Sequence, residues 1–152
     1  MTEEYKVAFL LHCESLLVDR MTVYNTELKE LQSSYDTETK SSAGDKYETA
    51  REMIHIEKGK ILTQIANLKK VDVDLKRVIQ QKKKRSNAQF GSMISTDKAI
   101  FLLGVPLGNV KFKDRVIFCV SLLAPISKEI IGKTSGQKIS LNSNVQTIQE
   151  IF

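Results

Sequence analysis

Apolar residues recur at steps of three and four along the first part of the chain, at Leu10, Cys13, Leu17, Met21, Tyr24, Leu28, Leu31 and Tyr35. That spacing keeps a single stripe on one side of an α-helix and is the seam of a coiled coil. No Pro or Gly interrupts the run. A helix of about 33 residues is expected, roughly 50 Å long at about 1.5 Å per residue. Beyond a break at Ser41-Ser42-Ala43-Gly44, a second run places Tyr47, Ala50, Ile54, Ile61, Ile65, Leu68 and Leu75 on roughly one face. The two helices are therefore expected to pack antiparallel as a hairpin. The pattern weakens from Glu57 to Gly59, and an interior Gly costs about 1 kcal/mol against Ala, so a bend or loosening is expected there.

After residue 85 the helical period gives way to alternating or continuous apolar runs broken by Gly, Pro and Asn. Gln89 to Thr96, Ala99 to Gly104, Val116 to Leu122, Lys138 to Leu141 and Gln146 to Phe152 read as strands. Turn signals lie at Pro106-Leu107-Gly108-Asn109 and at Asn142-Ser143-Asn144. Between the third and fourth strands, Pro125 to Gly132 carries Pro at a first helical position and Gly past the last, the signature of one short helix. Its apolar side, Ile126, Ile130 and Ile131, is expected to cover the sheet. The fold class is α+β: an N-terminal antiparallel helical hairpin followed by a small antiparallel sheet domain with one short helix. The chain divides into an arm over 1–81, a basic linker over 82–88 and a sheet domain over 89–152.

Of 152 residues, 41% are hydrophobic and 27% charged, the composition of a soluble globular chain. No apolar run approaches the ~18 residues of a transmembrane helix. The segment Val7 to Leu11 is too short for a secretory h-region and follows the acidic Glu3 and Glu4, so a cytoplasmic location is expected. Cys13 on the helical seam and Cys119 in an apolar strand read as buried small hydrophobes. His12 and His55 have no Cys or carboxylate at ligand spacing, which argues against zinc. The sheet region holds no Ser/His/Asp set, phosphate-binding glycine loop or clustered carboxylates, so it reads as a docking domain and not as an enzyme.

Charge is unevenly distributed around the total of +5. Residues 1–57 hold 6 Lys/Arg against 12 Asp/Glu (net −6), residues 58–85 hold 10 against 2 (net +8), and residues 86–152 hold 7 against 4 (net +3). The densest basic run, Lys82-Lys83-Lys84-Arg85, is a candidate phosphate contact, nascent RNA included, because each neutralised phosphate releases counterions. A solvated linker is the blander reading of the same run.

The stretch Ala124 to Leu141, APISKEIIGKTSGQKISL, resembles the C-terminal domain of the bacterial GreA/GreB transcript cleavage factors. Pro125, Lys128, Ile130, Ile131, Gly132, Lys133 and Gly136 keep that family's register, while Ala124 replaces its Ser and Gln137 its Asp. The closing QTIQEIF is similar to the family's last strand, and Phe90-Gly91-Ser92 to the opening of its sheet. With the hairpin in front, the resemblance covers nearly the whole chain. It implies a coiled-coil arm and an FKBP-like domain that docks on RNA polymerase, with Pro125, Lys128, Gly132 and Lys133 as docking residues. It also implies an accessory factor with no cofactor of its own, whose arm enters the polymerase secondary channel; the chain is expected to act as a monomer with no membrane partner. A two-helix seam can equally pair between chains.

In the family, two acidic side chains at the tip help to hold the second catalytic Mg²⁺ of the polymerase, which then cleaves backtracked RNA. Here Gly44-Asp45-Lys46-Tyr47-Glu48-Thr49-Ala50 matches the family's Gly, Asp, Glu and Ala, which makes Asp45 and Glu48 the candidate catalytic and metal carboxylates. A rival alignment, anchored on Tyr47 and Gly59-Lys60-Ile61, puts Lys40 and Ala43 at the acidic positions and removes the chemistry. Asp45 as N-cap with Glu48 three residues on is also a capping box, a purely structural use. Asp36 and Glu38 across the turn would add to an acidic site, and Lys40 and Lys46 would weaken it. Three functions follow: a cleavage-stimulating elongation factor, a secondary-channel regulator without cleavage activity, and a coiled-coil adaptor unrelated to polymerase. Prolyl isomerase activity rests on analogy of fold alone, and no aromatic-lined proline pocket is legible.

Overall fold

The computed structural model describes residues 1–40, 44–81, 86–141 and 143–152, with the side chains of 38–40, 45 and 141 outside the description. Two long helices come first, α1 (Glu3–Lys40, 38 residues) and α2 (Asp45–Ile79, 35 residues). Thr2 starts α1: its hydroxyl accepts from the Tyr5 N–H at 3.2 Å, and Glu3 and Glu4 follow in the first turn, where the helix dipole favours negative charge. The helix accommodates several hydroxyl residues because Thr22, Thr26, Ser34 and Thr37 each donate to the carbonyl four residues back.

The chain forms two compact units, residues 15–70 and residues 1–14 with 71–152. In the first unit the helices meet along the expected seam. Leu17, Ile61 and Ile65 are buried, and Met21, Tyr24, Leu28, Leu31, Tyr35, Ala50, Ile54 and Leu68 are half-buried. Tyr47, expected on this seam, is exposed. At the weak stretch α2 continues unbroken through Gly59. Lys58 takes the seam position there: its ammonium donates to Gln32 Oε1 and lies 5.9 Å from the Tyr35 ring centroid. A long aliphatic stem lets a lysine line an apolar seam while its head stays polar.

The second unit is built on a six-stranded sheet of order β3-β4-β2-β1-β6-β5. Its strands are β1 (Met93–Thr96), β2 (Ile100–Leu103), β3 (Gly108–Phe112), β4 (Arg115–Val120), β5 (Lys138–Leu141) and β6 (Asn144–Ile151). The sheet is mixed, since β2 and β4 run parallel with Phe101 opposite Phe118, while every other pairing is antiparallel. The parallel pair arises because β3, which the turn-like Gly108-Asn109 concealed in the sequence, returns the chain along the outer side of β4. The first strand is also shorter than expected, beginning at Met93 and not at Gln89.

Alternation along the strands gives the sheet two buried faces. On one, Ile94, Phe101, Leu103, Ile139 and Ile148 pack with Ala88 and with Ile126 and Ile130 of α3 (Pro125–Ile130). The other carries Met93, Ile100, Leu102, Ile117 and Cys119, all buried. Within the same unit the ends of the long helices meet the sheet domain: Phe112 contacts the Tyr5, Phe9 and His12 rings at 5.4, 5.5 and 5.2 Å, and Arg77 lies 4.8 Å from the Phe90 ring. Here the helices bury a wider arc than the seam, including Phe9, Val71 and Val78, because they face more than each other. Gly104, at φ +95°, could not carry a side chain, since a Cβ there would come within 2.3 Å of the Phe90 ring.

Both cysteines are free and buried, as small hydrophobes. Among the described residues, no helix is long and apolar enough to cross a membrane.

Candidate functional site

The hairpin turn and the surroundings of α3 hold the sequence candidates. At the turn, α2 begins with Asp45, and the Tyr47 N–H donates to the Gly44 carbonyl at 2.9 Å. Gly44 therefore occupies the position ahead of the helix, and Asp45 and Glu48 sit one step further in than a capping box requires. Both remain in the first turn, where unsatisfied N–H groups and the dipole favour carboxylates. Glu48 and Lys46 are exposed, and the Asp45 side chain lies outside the described residues. On α1, Asp36 is exposed and accepts from Gln32 Nε2 at 2.9 Å. The side chains of Glu38 and Lys40, and all of Ala43, lie outside the description, as does the basic run Lys82 to Arg85.

Two carboxylates three positions apart at a helix start can lend oxygen ligands to a hard cation held mainly by other groups. They do not amount to a metal site by themselves. Among the described residues, no group of three or more His, Cys, Asp and Glu could hold a metal ion.

Around α3 the candidate docking residues take different positions. Pro125 occupies the first helical turn, where its missing N–H costs nothing, and both it and Lys128 are exposed. Gly132 adopts φ +81°, a left-handed conformation that ends the helix. Its N–H donates to the Ala88 carbonyl at 2.7 Å, while the Lys133 carbonyl accepts from the Ala88 N–H at 2.8 Å. The Lys133 ammonium donates to the Lys138 carbonyl at 2.7 Å and lies 3.7 Å from the Glu129 carboxylate. Gly132 and Lys133 thus tie α3 to the segment entering the sheet, whatever else they contact.

Ile131 departs from expectation. The helix stops at Ile130, and Ile131, extended at ψ 134°, is 42% exposed instead of covering the sheet. Ser127, by contrast, is fully buried, and its hydroxyl donates to the Ser121 carbonyl at 2.6 Å. Leu123, just before α3, is 80% exposed and was not among the sequence candidates. An isolated leucine in an apolar run carries no signal of which way it faces.

No family model, curated protein or solved structure matches the chain.

Proposed function

We propose that the chain is an accessory transcription factor of the GreA/GreB type. On this reading the sheet domain docks on RNA polymerase, the helical hairpin enters the secondary channel, and Asp45 and Glu48 act at its turn to stimulate cleavage of backtracked RNA. The observation that carries the reading is the pair of acidic positions opening α2 at the turn between two helices of 38 and 35 residues. It is supported by the order of hairpin, sheet and short helix, and by the family register kept from Pro125 to Gly136.

Mg²⁺ belongs to the polymerase and supplies Lewis acidity at the scissile phosphate. The chain's own part is modest: one or two carboxylate oxygens suffice, because Mg²⁺ keeps several waters and takes few protein ligands. The sheet domain contributes position, through exposed groups such as Pro125 and Lys128. The protein would act as a cytoplasmic monomer without hydrolytic activity of its own.

A second reading, a channel regulator without cleavage activity, is favoured by Lys46, an exposed cation between the two carboxylates that opposes metal binding. Both readings require docking. The full chain should associate with its cognate core polymerase at low salt, and Lys128→Glu should weaken that association. Absence of association would remove both readings and leave a coiled-coil adaptor.

A further inference from the structure

The chain holds four Tyr and six Phe, and all but one of them are buried or half-buried. The exception is Tyr47, 37% exposed, the third residue of α2 at the hairpin turn. Its apolar spacing belongs to the seam, yet the packing that half-buries Tyr35 and Ala50 does not extend to it. Tyr35, the last aromatic of α1 before the turn, meets His55 edge-on at 5.1 Å. The Tyr47 ring instead leans on the backbone of the turn: a Cβ at Gly44 would lie 3.8 Å from Tyr47 Cδ2. Its neighbours in the chain, Lys46 and Glu48, are both exposed.

An aromatic ring left in water forgoes the burial that the other rings of this chain obtain. A tyrosine so placed is suited to contact, because its large ring is rigid and costs little entropy to hold. Its sequence neighbours narrow the choice of occupant. An apolar protein wall would use the ring but leave the Lys46 and Glu48 charges desolvated without partners. A nucleobase offers a flat face to the ring whatever its identity, and carries a phosphate for a neighbouring cation.

We propose that Tyr47 is a positioning residue whose ring stacks on the extruded base just 3′ of the scissile phosphate, setting that phosphate before Asp45 and Glu48. This rests on the transcript-cleavage reading above. The probe is a stalled complex of the cognate polymerase whose backtracked RNA carries 2-aminopurine at the first extruded position, a base whose emission falls when an aromatic ring stacks on it. Asp45→Ala/Glu48→Ala keeps the RNA uncut during the reading. That variant should quench the emission, the same variant with Tyr47→Ala should not, and with Tyr47→Phe it should quench again. In the otherwise wild-type chain, Tyr47→Ala should slow stimulated cleavage about tenfold at saturating protein, as loss of one base–aromatic stack would. Polymerase binding should be unchanged, and Tyr47→Phe should cleave close to the wild type. Alanine is the better helix former, so such losses are not those of an unravelled turn. The proposal is overturned if Tyr47→Ala leaves the quenching intact, if quenching is lost while stimulated cleavage keeps its wild-type rate, or if Tyr47→Phe fails as Tyr47→Ala does. Loss of polymerase binding in Tyr47→Ala also overturns it, by assigning the ring to the polymerase. Quenching that depends on Tyr47, in a chain that stimulates no cleavage, upholds the stacking and removes the cleavage reading alone. A wild-type chain that does not bind polymerase removes both.

Discussion

The helical pair over 15–70 and the sheet-bearing unit draw on similar apolar residues but hold them in different ways. Along the pair, Leu17, Ile61 and Ile65 are the buried side chains among the described residues, and the remaining seam positions are half-open to water or, at Tyr47, exposed. The sheet-bearing unit encloses Leu75, Met93, Ile94, Leu102, Leu103, Ile117, Ile130, Ile139 and Ile148 almost completely. A single seam gives each residue few neighbours, whereas a sheet covered on both faces surrounds its residues. It follows that the pair should open locally at lower free energy than the sheet, and that residues at its turn can change without disturbing the core.

A matched pair of truncations tests this most strongly. Ile130→Ala removes a side chain with no exposure and should cost about 3 kcal/mol, transfer and cavity terms together. Leu28→Ala, at a half-buried seam position, should cost only about 1 kcal/mol. Urea unfolding with hydrogen exchange resolved by residue separates the two, and equal costs would erase the distinction between the units.

Gly59→Ala sharpens the comparison from the other side. Gly59 is exposed within an unbroken helix, and an added Cβ would meet nothing within 4 Å. Alanine should therefore stabilise the pair by up to about 1 kcal/mol, slowing exchange within 15–70 and leaving the sheet amides unchanged.

The smallest effect concerns Lys6, whose ammonium donates to the Phe152 carbonyl at 3.0 Å. Burial lowers its pKa below the ordinary 10.5, opposed in part by Glu3. The folded state therefore holds this proton more weakly than the unfolded chain. The resulting penalty is present at neutral pH and fades as pH rises through the folded pKa toward 10.5. Lys6→Met should flatten the alkaline rise in Tm, and an unchanged pH profile would contradict this.

The helices were legible because a seam repeats over many turns, so a single irregularity such as Lys58-Gly59 could not hide them. Even so, α2 runs unbroken through Gly59, where Lys58 supports the seam with its stem and its contact to Gln32. β3 was hidden because Gly108 and Asn109 look like a turn and Val110 is its one buried residue. The actual reversal is at Lys113, at φ 52°, a residue type that gives no warning of it. Ile131 was misplaced because helical spacing was carried one residue past the end of α3. The acidic pair at the turn was legible as a motif, though its offset from the helix start depends on backbone geometry.

The central claim is that the hairpin turn lends carboxylates to chemistry performed by another molecule. The most direct measurement is RNA cleavage in a stalled, backtracked complex of the cognate polymerase, with the wild-type protein and with Asp45→Ala/Glu48→Ala. The account predicts stimulated cleavage by the wild type and its loss in the double variant, with binding to polymerase retained. Binding by the wild type without any stimulation of cleavage would contradict it.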